Sequence, residues 1–157
     1  SKVKQWFNYE RLFGNGPAMP DTQYILGFAG IWVMVDEAHI TNLAVRKKYR
    51  RQGIGELLLI TIIDLATGLK ANNMTLEVRA SNTAAQDLYR KYAFSQVGLR
   101  RAYYTDNRED GVLMSTESIT SASFQAHLQK LKQAHARRYG IALYRLTQNY
   151  PTPSGKR

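Results

Sequence analysis

Leu76-Glu77-Val78-Arg79-Ala80-Ser81-Asn82-Thr83-Ala84-Ala85-Gln86-Asp87-Leu88-Tyr89-Arg90-Lys91-Tyr92-Ala93-Phe94 changes its apolar spacing part-way along. From Met74 to Ala80 apolar and polar residues alternate, so that Leu76 and Val78 face one way and Thr75, Glu77 and Arg79 the other. That period of two predicts a half-buried strand. Asn82 then opens a stretch in which Ala85, Leu88 and Tyr89 fall at neighbouring helical positions, and its short polar side chain suits the cap of a helix running to about Tyr92. A strand that feeds a helix through a polar turn therefore lies at the centre of the chain.

Working outward from this unit, Tyr24 to Val35 and His39 to Val45 are β-prone runs separated by Asp36-Glu37, which predicts a hairpin. Gly55 to Lys70 has the length and composition of a helix, with apolar residues over most of its circumference and Leu58, Ile62, Leu65 and Leu69 as its expected central stripe. Downstream, Phe94 to Tyr104 and Val112 to Thr116 read as strands about the polar turn Thr105 to Gly111. Phe124, Leu128 and Leu131 at i, i+4 and i+7 predict a helix from about Ser121 to Tyr139. The resulting order of strand, strand, helix, strand, helix, strand, strand is that of a mixed α/β domain. Three segments are expected: an N-terminal, partly loop segment over 1–24, a core over 25–120, and a basic C-terminal helix and tail over 121–157, frayed from Pro151 on.

Composition narrows the function classes. The 157 residues are 44% hydrophobic and 22% charged, a globular balance. The longest apolar stretch, Leu57 to Leu69, is interrupted by polar residues and too short for a bilayer, so no membrane association is expected. There is no cysteine, which excludes disulfides, thiolate metal sites and a cysteine nucleophile together. His39, His127 and His135 lack metal-ligand spacing, so no metal is expected and each is read as a structural or surface residue. Asp36-Glu37 is read as a solvated hairpin end. No signal peptide is evident, and the expected location is the cytoplasm. The net charge of +10 is uneven: residues 121–157 hold seven Lys and Arg and no Asp or Glu.

A second basic cluster bears on chemistry. Arg46, Lys47, Lys48, Arg50 and Arg51 lead into Gln52-Gly53-Ile54-Gly55, between a predicted strand and a buried helix. A glycine turn at a helix start presents unpaired backbone N–H groups at the positive end of the helix dipole, and glycine lets a phosphate approach closely. By itself such a turn is more often only a turn, and phosphate binding gains weight from its surroundings.

Those surroundings resemble a known family. The segment from Ile40 to Met114 resembles the GNAT superfamily of acyl-CoA transferases, and most closely its bacterial ribosomal-protein alanine N-acetyltransferases. Arg50, Gly53 and Gly55 meet the family's acyl-CoA loop pattern, and the runs LEVRASN, LYRKYAF, RRAYY and RED are more specific to the branch. The resemblance implies a GNAT-like fold, a mixed and mostly antiparallel sheet flanked by helices, here with a C-terminal helical extension. It further implies acetyl-CoA as cosubstrate, with Leu43, Ala44 and Val45 lining the pantetheine arm, Arg50 and the loop Arg51, Gln52, Gly53, Ile54, Gly55 and Glu56 around the pyrophosphate, and Asn82 in contact with the cofactor. Glu77 matches the general base of the peptide-acetylating branch and Tyr89 its general acid, while a backbone N–H near Val45 is the expected oxyanion donor. One departure is Ala93, where the family usually has glycine before the Phe; at a left-handed cap, alanine costs about 1 kcal/mol.

The chemistry of amine acetylation needs these types of residue. An α-amine with a reference pKa near 8 is neutral only about a tenth of the time at neutral pH, so a carboxylate that collects its proton is useful. The departing thiolate of coenzyme A needs a proton donor, which a tyrosine hydroxyl supplies. Against these roles stand ordinary ones: Glu77 as a surface partner of Arg79, and Tyr89 as a core tyrosine anchoring its helix. Tyr103 and Tyr104, beside Arg100 and Arg101, are candidates for the acceptor entrance. The expected acceptor is a protein or peptide N-terminus, by direct transfer in a ternary complex; the alternatives are a lysine or small-amine acetyltransferase, or a silent accessory protein bound to ribosome or RNA. The basic segment 121–157 is the candidate ribosome or RNA contact.

Overall fold

The structure, a computed structural model, describes residues 25–140. Its elements in chain order are β1 (Gly27–Met34), β2 (Glu37–Val45), a 3₁₀ turn (Lys47–Tyr49), α1 (Ile54–Gly68), β3 (Asn73–Arg79), α2 (Thr83–Lys91), β4 (Ser95–Arg100), β5 (Gly111–Ser115) and α3 (Ala122–Tyr139). The five strands form one sheet in the order β1-β2-β3-β5-β4. Every neighbouring pair is antiparallel except β2 and β3, which α1 connects and which run parallel. The mixed, mostly antiparallel sheet with flanking helices and a C-terminal helix is the expected fold.

The parallel pair is short. Only Glu37, Ala38 and His39 pair with Asn73, Met74 and Thr75, yet β2 continues to Val45 and β3 to Arg79. The two strands therefore part after His39 and Thr75, and the facing edges beyond that point have no strand partner. A bulge accompanies the parting: Gly30 pairs with Asn42 and Ile31 with Ile40, which leaves Thr41 as the extra residue of β2. Gly30 is needed opposite it, because a Cβ there would lie 2.9 Å from Thr41 Oγ1.

Burial follows the strand alternation. Ala38, Ile40, Met74, Leu76, Val78, Val112 and Met114 are buried on the face covered by α1 and the core. The other face of β2 and β3 carries Glu37, His39, Thr75, Glu77 and Arg79. In α1 the buried residues are Leu59, Ile60, Ile62, Ile63 and Ala66, and Leu69, its C-cap, is 47% exposed. Of the expected stripe only Ile62 is fully buried, with Leu58 and Leu65 partly so. The reason is that α1 packs against β1 and β2 on one side and α3 on the other, so two faces are covered and one helical period does not choose between them.

Each of the other two helices has a side-chain cap, the first of them the one expected at Asn82. Asn82 Oδ1 accepts from Ala85 N at 3.1 Å, and Ser121 Oγ from Phe124 N at 3.2 Å. Ala93 has φ +66°, with its N–H donating to Arg90 O and that of Phe94 to Tyr89 O, each at 3.0 Å. The glycine position of the family motif is thus a left-handed cap here too, occupied by alanine. Along α3, Phe124 and Leu128 are buried and Leu131 partly so. The helix runs back along α1: Gln125 Nε2 donates to Thr67 Oγ1, Lys132 pairs with Asp64, and His135 reaches Gly53. The strand expected over Phe94 to Tyr104 ends at Arg100, so Tyr103 and Tyr104 lie in the connection to β5. Among the described residues no helix is long and apolar enough to cross a membrane, and no group of His, Asp or Glu has metal-binding geometry. The expectations for 1–24 and for 141–157, the tail of the basic C-terminal segment, lie outside the described residues.

Candidate active site

Two strand-to-helix junctions flank the gap between β2 and β3. At the first, Arg50 Nε donates to Val45 O at 3.1 Å and folds the basic turn back on the end of β2. Arg51 and Gly53 both have positive φ, +64° and +80°. Among the described residues the amides of Arg51, Gln52, Gly53, Ile54, Gly55 and Glu56 make no hydrogen bond; the first is from Leu57 N to Gly53 O at 3.0 Å. The start of α1 has no side-chain cap. Successive free amides at the positive end of a 15-residue helix are an arrangement suited to an anion. Arg50 and Arg51 are exposed beside it. The expected cofactor residues Leu43, Ala44 and Val45 are half-buried on the free edge of β2 leading to this turn.

Glu56 is used differently from the rest of that turn. Its carboxylate accepts from Lys91 Nζ at 2.7 Å and from the Tyr92 hydroxyl at 2.6 Å, tying α1 to the end of α2. Burial alone would raise its pKa, but the hydrogen bonds from Lys91 and Tyr92 and the neighbouring cations outweigh burial and lower it. What Glu56 offers the turn is a backbone amide rather than a carboxylate.

At the second junction Glu77 projects from β3 on the face opposite Leu76 and Val78, with its side chain 12% exposed. Its partners are His39 Nε2 at 3.0 Å and Arg100 at 3.7 Å. Arg79, the partner expected from its position on the same face, instead pairs with Asp106 and Glu109 and lies over the ring of Tyr104, 4.0 Å from its centroid. Glu109 also accepts from Ser81 N at 2.6 Å, and this set of hydrogen bonds, Ser81 foremost, brings its pKa down to about 2. The connection carrying Tyr103 and Tyr104 is thereby pinned to the β3–α2 junction. The two rings meet edge to face at 5.1 Å.

Tyr89 is buried in α2, its ring 5.8 Å from that of Phe94. Burial, with a smaller contribution from Tyr104, raises its pKa, so the phenol stays protonated across neutral pH. Its hydroxyl makes no hydrogen bond among the described residues and, unlike the ring, keeps some exposure. Tyr104 is likewise raised, chiefly by burial, and the charge of Glu77 contributes. Tyr104 is thus an electrostatic neighbour of both Glu77, the candidate base, and Tyr89, the candidate acid. Tyr103 is more exposed. Asn82, at the helix start next to this group, uses its Oδ1 as the cap, which leaves the Nδ2 amide for any ligand contact.

A model of the acetyltransferase (GNAT) family matches residues 2–94. The chain belongs to the GNAT acetyltransferase family. Within it, the chain is 44% identical over 90 residues to the [ribosomal protein bS18]-alanine N-acetyltransferase of Escherichia coli K12, over 56% of this chain and 61% of that protein. The crystal structure of the ribosomal-protein-S18-alanine N-acetyltransferase from Escherichia coli superposes with a TM-score of 0.56 at 41% identity, over 62% of this chain and 64% of that one. A GNAT family acetyltransferase from Elizabethkingia anophelis with acetyl-CoA bound gives 0.56 at 26% identity, over 61% and 71%. The chain spans about three fifths of the length of the curated relatives it matches.

Two histidines of this GNAT chain do more than their sequence positions suggest. His39 bridges the parallel pair: Nε2 contacts Glu77, Nδ1 lies 2.8 Å from Thr75 Oγ1, and Thr75 Oγ1 donates to Glu37 Oε1 at 3.0 Å. Thr75 has one hydroxyl proton, and when Glu37 receives it His39 Nδ1 must carry the proton that faces Thr75 Oγ1. The signal available in sequence was the shared face of Glu37 and His39 on β2 and of Thr75 and Glu77 on β3; their parallel register brings the four together. The other histidine is His135, whose Nε2 lies 2.9 Å from Gly53 O.

Proposed function

We propose that this chain transfers the acetyl group of acetyl-CoA to the N-terminal α-amine of a protein, of the kind its bS18-alanine N-acetyltransferase relatives are named for. The observation that carries this is Glu77, a nearly buried carboxylate between His39 and Arg100 on the wall of the gap between β2 and β3. Acetyl-CoA suits the gap: the free edge of β2 at Leu43, Ala44 and Val45 offers strand-like hydrogen bonds to the amides of the pantetheine arm. The unpartnered amides from Arg51 to Glu56, with the Arg50 and Arg51 side chains, are matched to a pyrophosphate. The acceptor enters beside Tyr103 and Tyr104.

In the reaction Glu77, with His39 beside its carboxylate, removes a proton from the ammonium form of the acceptor. The neutral amine nitrogen attacks the thioester carbonyl carbon, the C–N bond forms and the C–S bond breaks. The oxyanion that develops is met by a backbone N–H near Val45. Tyr89, kept protonated by burial, gives its phenolic proton to the departing sulfur, and the second proton that the nitrogen sheds as the amide forms returns to the phenolate through solvent. With neither cysteine in the chain nor a covalent step required, transfer is direct in a ternary complex. The acceptor chemistry also favours an α-amine. A reference lysine amine is neutral roughly two hundred-fold less often at pH 7, which asks more of a single carboxylate.

The test is competition among peptides beginning Ala-Arg, blocked at the α-amine but carrying lysine, or carrying both amines, with the acetyl position located by fragmentation. Acetylation at the free α-amine is expected. Predominant lysine acetylation overturns the acceptor assignment and leaves the cosubstrate assignment standing.

A further inference from the structure

We propose that α3 is a positioning element for the cofactor turn: His135 and Tyr139, 82 and 86 residues away in sequence, hold Gly53 in the conformation that aims its neighbours' amides at a pyrophosphate. The proposal rests on the reading of residues 51–56 as the pyrophosphate site. Three observations carry it. First, the Gly53 carbonyl accepts two hydrogen bonds, from Leu57 N at 3.0 Å and from His135 Nε2 at 2.9 Å. The peptide unit is planar and trans, so fixing the Gly53 carbonyl toward the protein fixes the Ile54 N–H to point the opposite way, out of the turn. A helix start needs only the first of these bonds; the second comes from outside the helix.

Second, the Tyr139 ring lies directly on Gly53. A Cβ at residue 53 would be 2.6 to 2.7 Å from three of its ring carbons, while the φ of +80° already disfavours any side chain there. The absence of a side chain at 53 thus serves the helix that covers it as well as the ligand it faces. The rings of His135 and Tyr139 are 4.8 Å apart, so the two contacts form one unit on the last turn of α3. That turn is closed by Gly140 at φ +66°, whose N–H donates to Ala136 O at 2.8 Å.

Third, His135 is only 2% exposed, and its Nδ1 is the one buried side-chain polar atom without a hydrogen bond among the described residues. Burying a polar ring with one nitrogen unpaired is costly, and an apolar residue would fill the same space without that cost. The hydrogen bond that the ring does make is to Gly53. Packing alone gives no reason for a histidine at 135; holding the Gly53 carbonyl does. The rest of α3 is anchored independently by Gln125 to Thr67, Lys132 to Asp64 and His127 Nε2 to Lys91 O, so the last turn is placed without His135.

The experiment measures acetyl-CoA affinity by calorimetry for the unaltered chain and for His135→Leu, His135→Gln and Tyr139→Leu, with circular dichroism and melting as the check on folding. It also measures kcat/KM with S-acetylpantetheine, an acetyl donor that lacks the pyrophosphate. Loss of one positioning hydrogen bond is expected to raise the Kd for acetyl-CoA about tenfold in His135→Leu. Tyr139→Leu should weaken it by a similar factor, and His135→Gln, which keeps a donor at the same reach, should recover most of the loss. With S-acetylpantetheine the folded variants should match the unaltered chain, because that donor does not use the turn. Unchanged acetyl-CoA affinity in the folded variants overturns the proposal, as does an equal loss with both donors, which would mark α3 as a general structural support. An unaltered chain that takes no acetyl-CoA removes the reading of residues 51–56 on which the proposal rests, and the proposal with it.

Discussion

The starts of α1 and α2 face the same gap between β2 and β3, and they are finished in opposite ways. At α2 the Asn82 side chain caps Ala85 N, and Gln86 Nε2 returns to the carbonyls of Arg79 and Ala80, so the junction is closed by its own residues. At α1 there is no cap, and the amides from Arg51 to Glu56 are left without partners. Among the described residues two of three helices have a side-chain cap, and the one start left open is the one proposed above to take the cofactor. The difference also predicts how each junction fails: changes at the open one should be read in ligand affinity, and changes at the closed one in turnover or stability.

The largest expected effect is at the open start. Gly53→Val places a branched side chain where φ is +80° and where the Tyr139 ring already touches the backbone. Acetyl-CoA binding should fall by on the order of 100-fold or more, the sum of a strained turn and a displaced peptide plane. Calorimetry checks this, and unchanged affinity would remove residues 51–56 from the site. Glu77→Gln, on the strand that leads into the closed start, should act on the other quantity. Its kcat is expected to fall about 10²-fold with little change in acetyl-CoA affinity, because the amide keeps the shape and loses the base. Full activity across pH 6 to 9 would assign the proton to another group. The smallest effect should come from Asn82→Ala, which opens the closed start. It should lower stability by about 1 kcal/mol in denaturant unfolding, the ordinary worth of an N-cap. A loss of acetyl-CoA affinity that far exceeds this stability change would show that the Asn82 amide touches the cofactor as well as capping the helix.

How much of the site is legible without coordinates depends on how far apart in sequence its contacts are. Strand parity alone puts Glu77 on the face opposite Leu76 and Val78, and the glycine turn before an apolar helix marks residues 51–56, since both are local patterns. The partner of Glu77 was not local. Arg79 is two residues away on the same face, but β5 and its preceding loop bring Asp106 and Glu109 to Arg79, while the parallel register of β2 with β3 brings His39 to Glu77. Metal spacing is a poor guide to such a histidine, because what it meets is a carboxylate and a hydroxyl on the neighbouring strand. In the same way β4 ends at Arg100 and releases Tyr103 into the loop, where its ring packs within 3.0 Å of a Cβ position on Gly111.

The residue order by itself determined the alternation of β3, the cap of α2, the left-handed position at Ala93, the glycine turn and the family. Each of these depends on residues within a few positions of one another, where covalent geometry and helical or strand period limit the outcomes. Only the tertiary structure decided where β2 and β3 part, which face of α1 is buried, that His39 pairs with Glu77, and that α3 closes over Gly53. Those contacts join residues 36 to 86 positions apart, and the physical reason is the same in each case. The backbone period tells which way a side chain points, but only packing of the elements against one another decides what it meets.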